Sequence, residues 1–248
     1  MARSEGGRLV YADLLRVAAM LAVIVIHVSA GWLESSPVGT ADWHALNTWD
    51  GLCRWAVPVF VMCSGMFLLD PKRSLPLPHL FLGHFLRMAA ALLVWGVAYH
   101  LLYQLLAGTL SLASIPYALY AVILGNTEAH LWYLITMMGL YLLTPLLRAF
   151  VRGASRGDFH WCFLIYGLFM LALPLFLRLR GSQTVALYAD RLSLNFTLAF
   201  PPLAYVGYFL AGYYLKTYTL GRLAEGIVYV LGIAGAVATV AGTTLLSH

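Results

Sequence analysis

The amino-acid sequence predicts an all-α polytopic membrane protein, and three observations support this class. Of its 248 residues, 62% are hydrophobic and only 10% are charged, whereas soluble domains carry about 25% charged residues. Apolar stretches long enough to cross a bilayer recur along the whole chain. The aromatic content of 14% also fits, because Trp and Tyr are favoured where the bilayer meets water.

Seven stretches of about 20 mostly apolar residues each predict a membrane-spanning helix. They are roughly residues 11–32, 52–69, 80–106, 130–150, 159–177, 197–215 and 224–245. An eighth apolar stretch, 110–124, is short and contains Pro116, so we interpret it as an interfacial or re-entrant segment. The longest connections are 33–50 and 178–196, which we interpret as outer loops that are too short to fold alone.

Lysine and arginine predict the orientation, because cytoplasmic loops are enriched in these residues. If the N-terminus is cytoplasmic and 110–124 does not cross, eleven basic residues lie on the cytoplasmic side and four lie outside. The cytoplasmic set is Arg3, Arg8, Arg16, Lys72, Arg73, Arg87, Arg148, Arg152, Arg156, Lys216 and Arg222, and the outer set is Arg54, Arg178, Arg180 and Arg191. If 110–124 crossed, every later basic residue would change side, and the count would be nine against six, which is a weaker bias. The sequence therefore predicts a cytoplasmic N-terminus and an outer C-terminus.

No change in composition marks a domain boundary, so residues 1–248 are predicted to form one membrane domain. The formal net charge of +5 is explained by the basic cytoplasmic loops. We therefore expect membrane lipids, and no nucleic acid, among the partners. The eight histidines are scattered without the ligand spacing of a metal site, so no bound metal is expected.

Two ionisable residues lie inside the first predicted span, where such groups are costly and face the protein interior or a water-filled cavity. Arg16 and His27 are eleven residues apart, which places them about 20° apart around a helix and about 16 Å apart along it. Asp13 precedes Arg16 by one turn and is close enough to pair with it. A guanidinium suits phosphate or carboxylate, and a neutral imidazole can act as a base. This stripe predicts a polar path with an anion site near the cytoplasm.

Other polar residues at helix ends are weaker candidates. Ser64 follows Pro58 in the second span, where a small side chain favours close helix packing. His130 and Trp132 stand at the predicted outer end of a span, where an interfacial aromatic belt is the simpler interpretation.

A cationic group marks the predicted cytoplasmic start of the third span. Arg73 comes just before it, and His84 and Arg87 stand one turn apart within it. Such groups commonly set topology, and they can also form the mouth of an anion site.

Four elements in this order resemble membrane-bound acyltransferase family 3, whose members O-acylate surface glycans in bacteria. They are Arg16, ten residues and His27 with Asp13 before them; Pro58 through Ser64-Gly65 to Leu69; His130-Leu-Trp-Tyr running to Pro145; and Gly207-Tyr-Phe-Leu-Ala-Gly212. The segment Val57-Pro-Val-Phe resembles the branch that O-acetylates enterobacterial common antigen.

The resemblance implies a multi-pass protein of the bacterial inner membrane. It would transfer an acyl group, commonly acetyl, from cytoplasmic acyl-coenzyme A (acyl-CoA) to a hydroxyl of a surface or lipid-linked glycan. It implies that His27 is the essential histidine and Arg16 the basic residue of the first-span motif. The family's Arg-x-x-Arg pair matches His84 and Arg87, so Arg87 is the better candidate for binding the donor. Because members normally have about ten spans, the domain is expected to be C-terminally incomplete.

Two other classes of function fit the residues. A proton-coupled transporter would also build a path from buried Arg and His side chains, but it often shows paired repeats, and no second helix repeats the Arg16/His27 pattern. An inactive membrane scaffold is the third interpretation.

Overall fold

The computed structural model describes residues 9–173, 176 and 201–247, and every regular element in these ranges is a helix. The α-helices are α1 (Val10–Leu33), α2 (Ala41–Cys53), α3 (Ala56–Leu68), α4 (Leu86–Leu106), α5 (Ser114–Ile123), α6 (Trp132–Gly153), α7 (Arg156–Tyr166), α8 (Val206–Thr217) and α9 (Arg222–Leu246). The π-helices are His79–Phe85 and Gly167–Ala172, and the 3-10 helices are Ala129–Leu131 and Pro201–Tyr205. The all-α class is confirmed.

Five helical segments in the described part of the chain are long and apolar enough to cross a membrane. They are Val10–Leu33, Ala41–Leu68, His79–Leu106, Ala129–Gly153 and Arg222–Leu245. These correspond to five of the seven predicted spans, which confirms a polytopic membrane protein. The predicted spans 159–177 and 197–215 lie partly outside the described residues.

The prediction that residues 33–50 form a loop is wrong for much of that stretch. Helix α2, Ala41–Cys53, begins there with Thr40 as its N-cap, whose hydroxyl accepts a hydrogen bond from the backbone N–H of Trp43. Trp43 and Asn47 are buried and lie one turn apart, so the buried residues of this stretch follow a helical period. The second membrane segment therefore begins much earlier than its hydropathy predicts.

Helix α5 is too short to cross the bilayer as a helix. It has ten residues, so it rises about 15 Å, which is about half the thickness of the hydrocarbon core. Gly96 of α4 lets α5 approach closely, because a Cβ at this position would lie 2.7 Å from Cγ2 of Val122. The length and packing of α5 agree with the interfacial position that the basic-residue count predicts.

The chain divides into two compact units, of which the first runs to Phe67 and resumes at Ala211. In this unit α1 packs through alanines. Ala12 clusters with Cys63 and Met66 of α3, and Ala19 and Ala22 cluster with Ala56. Small residues allow helix backbones to approach closely, which favours helix association where the surroundings are as apolar as the side chains.

Asn47 joins α2 to α9 in the same unit. Its Nδ2 donates hydrogen bonds to the backbone oxygen of Val240 and to Oγ1 of Thr244, each at 3.1 Å. An amide with both donors satisfied by a facing helix is well suited to an apolar environment, where an unsatisfied polar group costs free energy. The buried Asn47 therefore selects the face of α9 that packs on α2.

Gly212 marks the closest approach between α3 and α8. A Cβ at this position would overlap the backbone carbonyl of Met62, which cannot rotate away. We expect Gly212→Ala to lower the free energy of unfolding by about 1–3 kcal/mol through overpacking, measured as a lower thermal midpoint in detergent. Gly226→Ala in α9 is the control, because a Cβ at Gly226 has no atom within 4 Å. Equal midpoints for the two variants would contradict this packing.

The second unit runs from Leu68 to Leu210, and α6 contacts α4, the first π-helix and the 3-10 helix before α8. Arg148 of α6 is buried and binds the chain that leaves α3. It donates to the backbone oxygen of Leu68 at 2.7 Å and to that of Arg73 at 2.6 Å. The basic-residue count treats Arg148 as a topology signal, whereas the structure shows that it also fixes the turn after α3.

Candidate active site

The stripe predicted on α1 is present in the first unit. Arg16 is half-buried, and its Nη1 lies 3.4 Å from Oδ1 of Asp13, which confirms the predicted ion pair. Arg16 lies about 40° around the helix from the fully buried Ala12, one turn away, whereas His27 lies about 140° from Ala22 and about 160° from Ser29, the buried residues nearest to it. The stripe therefore borders the buried face of α1 at Arg16 and lies away from it at His27. Arg16 is partly enclosed there, whereas His27 is exposed on the molecular surface.

Phe67 at the end of α3 brings two cations together in this unit. The guanidinium carbon of Arg16 lies 4.9 Å from the centroid of the Phe67 ring, and Nζ of Lys216 lies 5.6 Å from it. Both distances are typical of cation–π contacts. Lys216 also donates a hydrogen bond to the backbone oxygen of Met66 at 3.4 Å. The Arg16 end of the stripe thus contains two positive side chains.

Sequence reasoning missed Phe67 and Lys216 as parts of the site. It treated Lys216 as a topology signal and Phe67 as an ordinary apolar residue of a membrane helix. One signal was available, because the basic-residue count placed Arg16 and Lys216 on the same side of the membrane, where α3 also ends. Only the packing of α3 and α8 shows that these residues meet.

Ser64 does not contribute its hydroxyl to the Arg16 cluster. Its Oγ donates to the backbone oxygen of Phe60 at 3.0 Å, within its own helix. This bond is common for serine in membrane helices, because it satisfies the hydroxyl locally. The structure therefore agrees with a packing role for Ser64 in α3, and its role in the site stays a prediction.

The third-span candidates form a separate cluster in the second unit. The His84 ring lies 5.4 Å from that of His79 and 5.7 Å from that of the buried Tyr141 in α6. Arg87 is exposed in the first turn of α4. The structure thus places His84 and Arg87 about one turn apart along the chain, as their spacing predicts, and adds His79 and Tyr141.

The backbone of Arg73, which precedes this cluster in the sequence, is fixed by two hydrogen bonds. Its carbonyl accepts the hydrogen bond from Arg148, and its N–H donates to the backbone oxygen of Asp70 at 3.1 Å. Its side chain is exposed. The turn that contains Arg73 is therefore fixed through its main chain.

His130 and Trp132 lie among aromatic rings of the second unit. The His130 ring is 5.2 Å from that of Tyr99, edge to face, and the Trp132 ring is 5.4 Å from that of Tyr205. Tyr205 in turn contacts Tyr208. His130 is half-buried in this packing, and Trp132 remains exposed over 37% of its surface.

The model of the acyltransferase family 3 domain, described as an acyltransferase domain, matches residues 9–247. The chain belongs to acyltransferase family 3. The match includes every candidate residue discussed above, from Asp13 to Lys216. Comparisons with curated proteins and with solved structures gave no match. The branch suggested by Val57-Pro-Val-Phe therefore stays a prediction.

In this family 3 acyltransferase, the candidate residues offer two kinds of chemistry. Arg16 and Lys216 in the first unit, and Arg87 in the second, are cations that can bind phosphate oxygens. His27 is the residue of the stripe whose imidazole can act as a general base. Acyl transfer to a hydroxyl requires removal of the hydroxyl proton, which a general base can accept.

Proposed function

We propose that this acyltransferase transfers an acetyl group from cytoplasmic acetyl-CoA to a hydroxyl of a surface or lipid-linked glycan. We place it in the inner membrane of a bacterium, as a multi-pass protein that opens its acceptor site to the outer side. The observation that chiefly supports the proposal is the α1 stripe, in which the paired Arg16 and the exposed His27 lie on one side of a membrane helix.

The chemistry requires one proton transfer and one displacement. The acceptor oxygen attacks the thioester carbonyl carbon, an ester C–O bond forms, and the C–S bond breaks. His27 accepts the proton of the attacking hydroxyl and returns it to the departing thiolate of coenzyme A. No oxidant, reductant or metal enters this balance. Arg16 binds the donor near its thioester or phosphates, and Asp13 positions the guanidinium.

The cluster in the second unit, considered by itself, offers candidates for phosphate binding. Arg87 is the principal candidate, because its exposed guanidinium can form paired hydrogen bonds to a phosphate. Arg73 and His84 are secondary candidates. We assign Trp132 and His130 to the acceptor side, since the exposed Trp132 ring offers an apolar face with a polar edge to a sugar.

Transfer of label from radiolabelled acetyl-CoA to lipid-linked or polymeric glycan in membranes tests the proposal. In this assay we expect Arg87→Gln to raise KM for acetyl-CoA about 10- to 100-fold with little change in kcat. One or two charge-assisted hydrogen bonds to phosphate account for a loss of this size.

Arg152→Gln is the matched control, because it removes an exposed positive charge near the end of α6. It is expected to leave KM unchanged. Absence of label in the glycan with the unaltered protein would contradict the proposed function. Uptake of a solute into proteoliposomes without acetyl-CoA would indicate a transporter instead.

A further inference from the structure

Four aromatic rings of the second unit contact one another in series, and the proposed function uses only the first of them. The centroid of the Trp132 ring in α6 lies 5.4 Å from that of Tyr205, and the Tyr205 centroid lies 6.2 Å from that of Tyr208 in α8. The Tyr208 centroid lies 5.9 Å from that of Tyr166 in α7. We call these four residues the aromatic ladder. It joins three α-helices and the 3-10 helix Pro201–Tyr205.

Two contacts of Tyr166 fix the inner end of the ladder. A Cβ on Gly207 would lie 2.5 Å from the Tyr166 ring, so a glycine is needed for this ring to pack on the start of α8. The Tyr166 hydroxyl also donates a hydrogen bond to the backbone oxygen of Ala204, in the 3-10 helix that contains Tyr205. The motif that begins at Gly207 therefore determines where Tyr208 lies.

The hydroxyls of Tyr205 and Tyr208 distinguish the ladder from ordinary aromatic packing. Both side chains are half-buried, and a buried tyrosine hydroxyl usually has a hydrogen-bond partner. Within residues 9–173, 176 and 201–247, neither of these two hydroxyls forms a hydrogen bond, whereas that of Tyr166 does. The ladder therefore offers two polar groups to a ligand, next to the 37% exposed Trp132.

An interfacial aromatic belt is the alternative explanation, because Trp and Tyr are favoured where the bilayer meets water. Belt residues expose their rings to lipid at one depth. Tyr120 of α5 fits that description, since it is 63% exposed. Tyr205 and Tyr208 instead pack against neighbouring rings, and Tyr208 lies further into α8 than Tyr205. The ladder thus extends inward from Trp132, at the predicted outer end of α6.

A sugar matches this combination of surfaces. A pyranose has apolar C–H faces and hydroxyls around its edge, and sites for small ligands combine apolar and aromatic surface with a few polar groups. Indole and phenol rings can contact the C–H faces, while phenol hydroxyls can donate to and accept from sugar hydroxyls. The Trp132 and Tyr208 centroids are at most about 12 Å apart, so the rings can contact more than one sugar of a chain.

We propose that Trp132, Tyr205 and Tyr208 form an acceptor-binding surface for a neutral saccharide, with the rings against its C–H faces and the two phenol hydroxyls bonded to its hydroxyls. This inference rests on the proposed transfer to a glycan, and it adds residues that recognise that glycan. These three side chains are uncharged, so they match a neutral sugar better than a lipid phosphate, which favours charged donors. They take no part in proton transfer.

Kinetics of label transfer from acetyl-CoA test the proposal, with the glycan that the unaltered protein labels, isolated from membranes, as the probe. We expect Tyr205→Phe and Tyr208→Phe each to raise KM for this glycan about 3- to 10-fold, because each change removes one hydrogen bond and keeps the ring. The values of kcat and of KM for acetyl-CoA are expected to stay unchanged. Tyr120→Phe is the control, because it removes an exposed hydroxyl of the same unit outside the ladder.

Nitration of tyrosine in the unaltered protein is the second test, and it decides if the thermal midpoint of a variant is lowered. Tetranitromethane treatment followed by mass spectrometry reports Tyr205, Tyr208 and Tyr120 in one experiment. In phosphatidylglycerol nanodiscs, the isolated glycan is expected to slow nitration of Tyr205 and Tyr208 about threefold or more and to leave Tyr120 unchanged. Equal slowing of all three would show general shielding and would contradict the proposal.

The outcomes separate this inference from the proposed function. Absence of label in any glycan with the unaltered protein would overturn the glycan acceptor and the role of the ladder together. Normal transfer with an unchanged KM for the glycan in Tyr205→Phe and Tyr208→Phe would overturn the role of the ladder alone. Nitration that slows on transfer from a detergent without a sugar headgroup into the nanodiscs, with no further slowing by glycan, would assign the rings to lipid and overturn the inference.

Discussion

Replacement of His27 by alanine is expected to lower the rate of acetyl transfer about 10²- to 10⁴-fold, because general acid–base catalysis contributes a factor of this size. His27 is exposed on α1, about 16 Å along the helix from Arg16. It is therefore not placed to bind the phosphates of the same donor. The loss is expected in kcat, with the affinity for coenzyme A unchanged. Steady-state kinetics and a separate binding measurement distinguish the two parameters.

The control for this variant is His160→Ala in α7, where the histidine is also exposed. It removes an imidazole from the same protein without touching the α1 stripe. A His27→Ala protein that transfers acetyl at the unaltered rate would remove His27 from the mechanism. A His27→Ala protein that loses coenzyme A binding would instead assign His27 to the donor site.

Replacement of Arg148 by methionine is expected to lower the free energy of unfolding by about 3 kcal/mol. The change removes two charge-assisted hydrogen bonds and leaves the backbone oxygens of Leu68 and Arg73 without these donors. The turn between these residues should then open more often. Trypsin cleaves after Lys72 and Arg73, so limited proteolysis measures this opening directly. An acceleration of about a hundredfold corresponds to the expected loss.

Arg152→Met is the control for Arg148, because it lies one turn later in α6 and is exposed. It should alter neither the thermal midpoint nor the tryptic cleavage rate. Unchanged cleavage in Arg148→Met would show that the turn is held by other contacts, such as the hydrogen bond from the backbone N–H of Lys72 to Oδ1 of Asp70.

Most of the fold follows from hydropathy, because a run of about 20 apolar residues has few alternatives to a membrane helix. Helix α2 is the instructive exception. Its buried face includes Asn47 and Asp50, which lower the local hydropathy. Asn47 is accommodated by the hydrogen bonds that it donates to a helix about 190 residues later in the chain. A hydropathy average over neighbouring residues does not include hydrogen bonds to a distant helix.

In the candidate site too, contacts within one helix are predicted from the sequence, whereas contacts between helices are not. The Asp13–Arg16 pair follows from helical spacing alone, and the structure contains it. Contacts between helices are different. Phe67 with Lys216, and His84 with Tyr141, depend on how separate helices pack. The spacing of residues within one helix does not predict contacts between different helices.

The contact between His79 and His84 depends on the number of residues in the π-helix His79–Phe85. The backbone N–H of Leu86 bonds to the oxygen of Phe81, five residues earlier, so this turn holds one residue more than an α-helical turn. Removing one residue here would let an ordinary helix form and would turn the preceding residues by about 100° relative to α4. Leu80, now 1% exposed, would swing out of the interior, and His79 would leave the edge of the His84 ring. A single-codon deletion would thus disrupt this end of α4 while changing no remaining side chain.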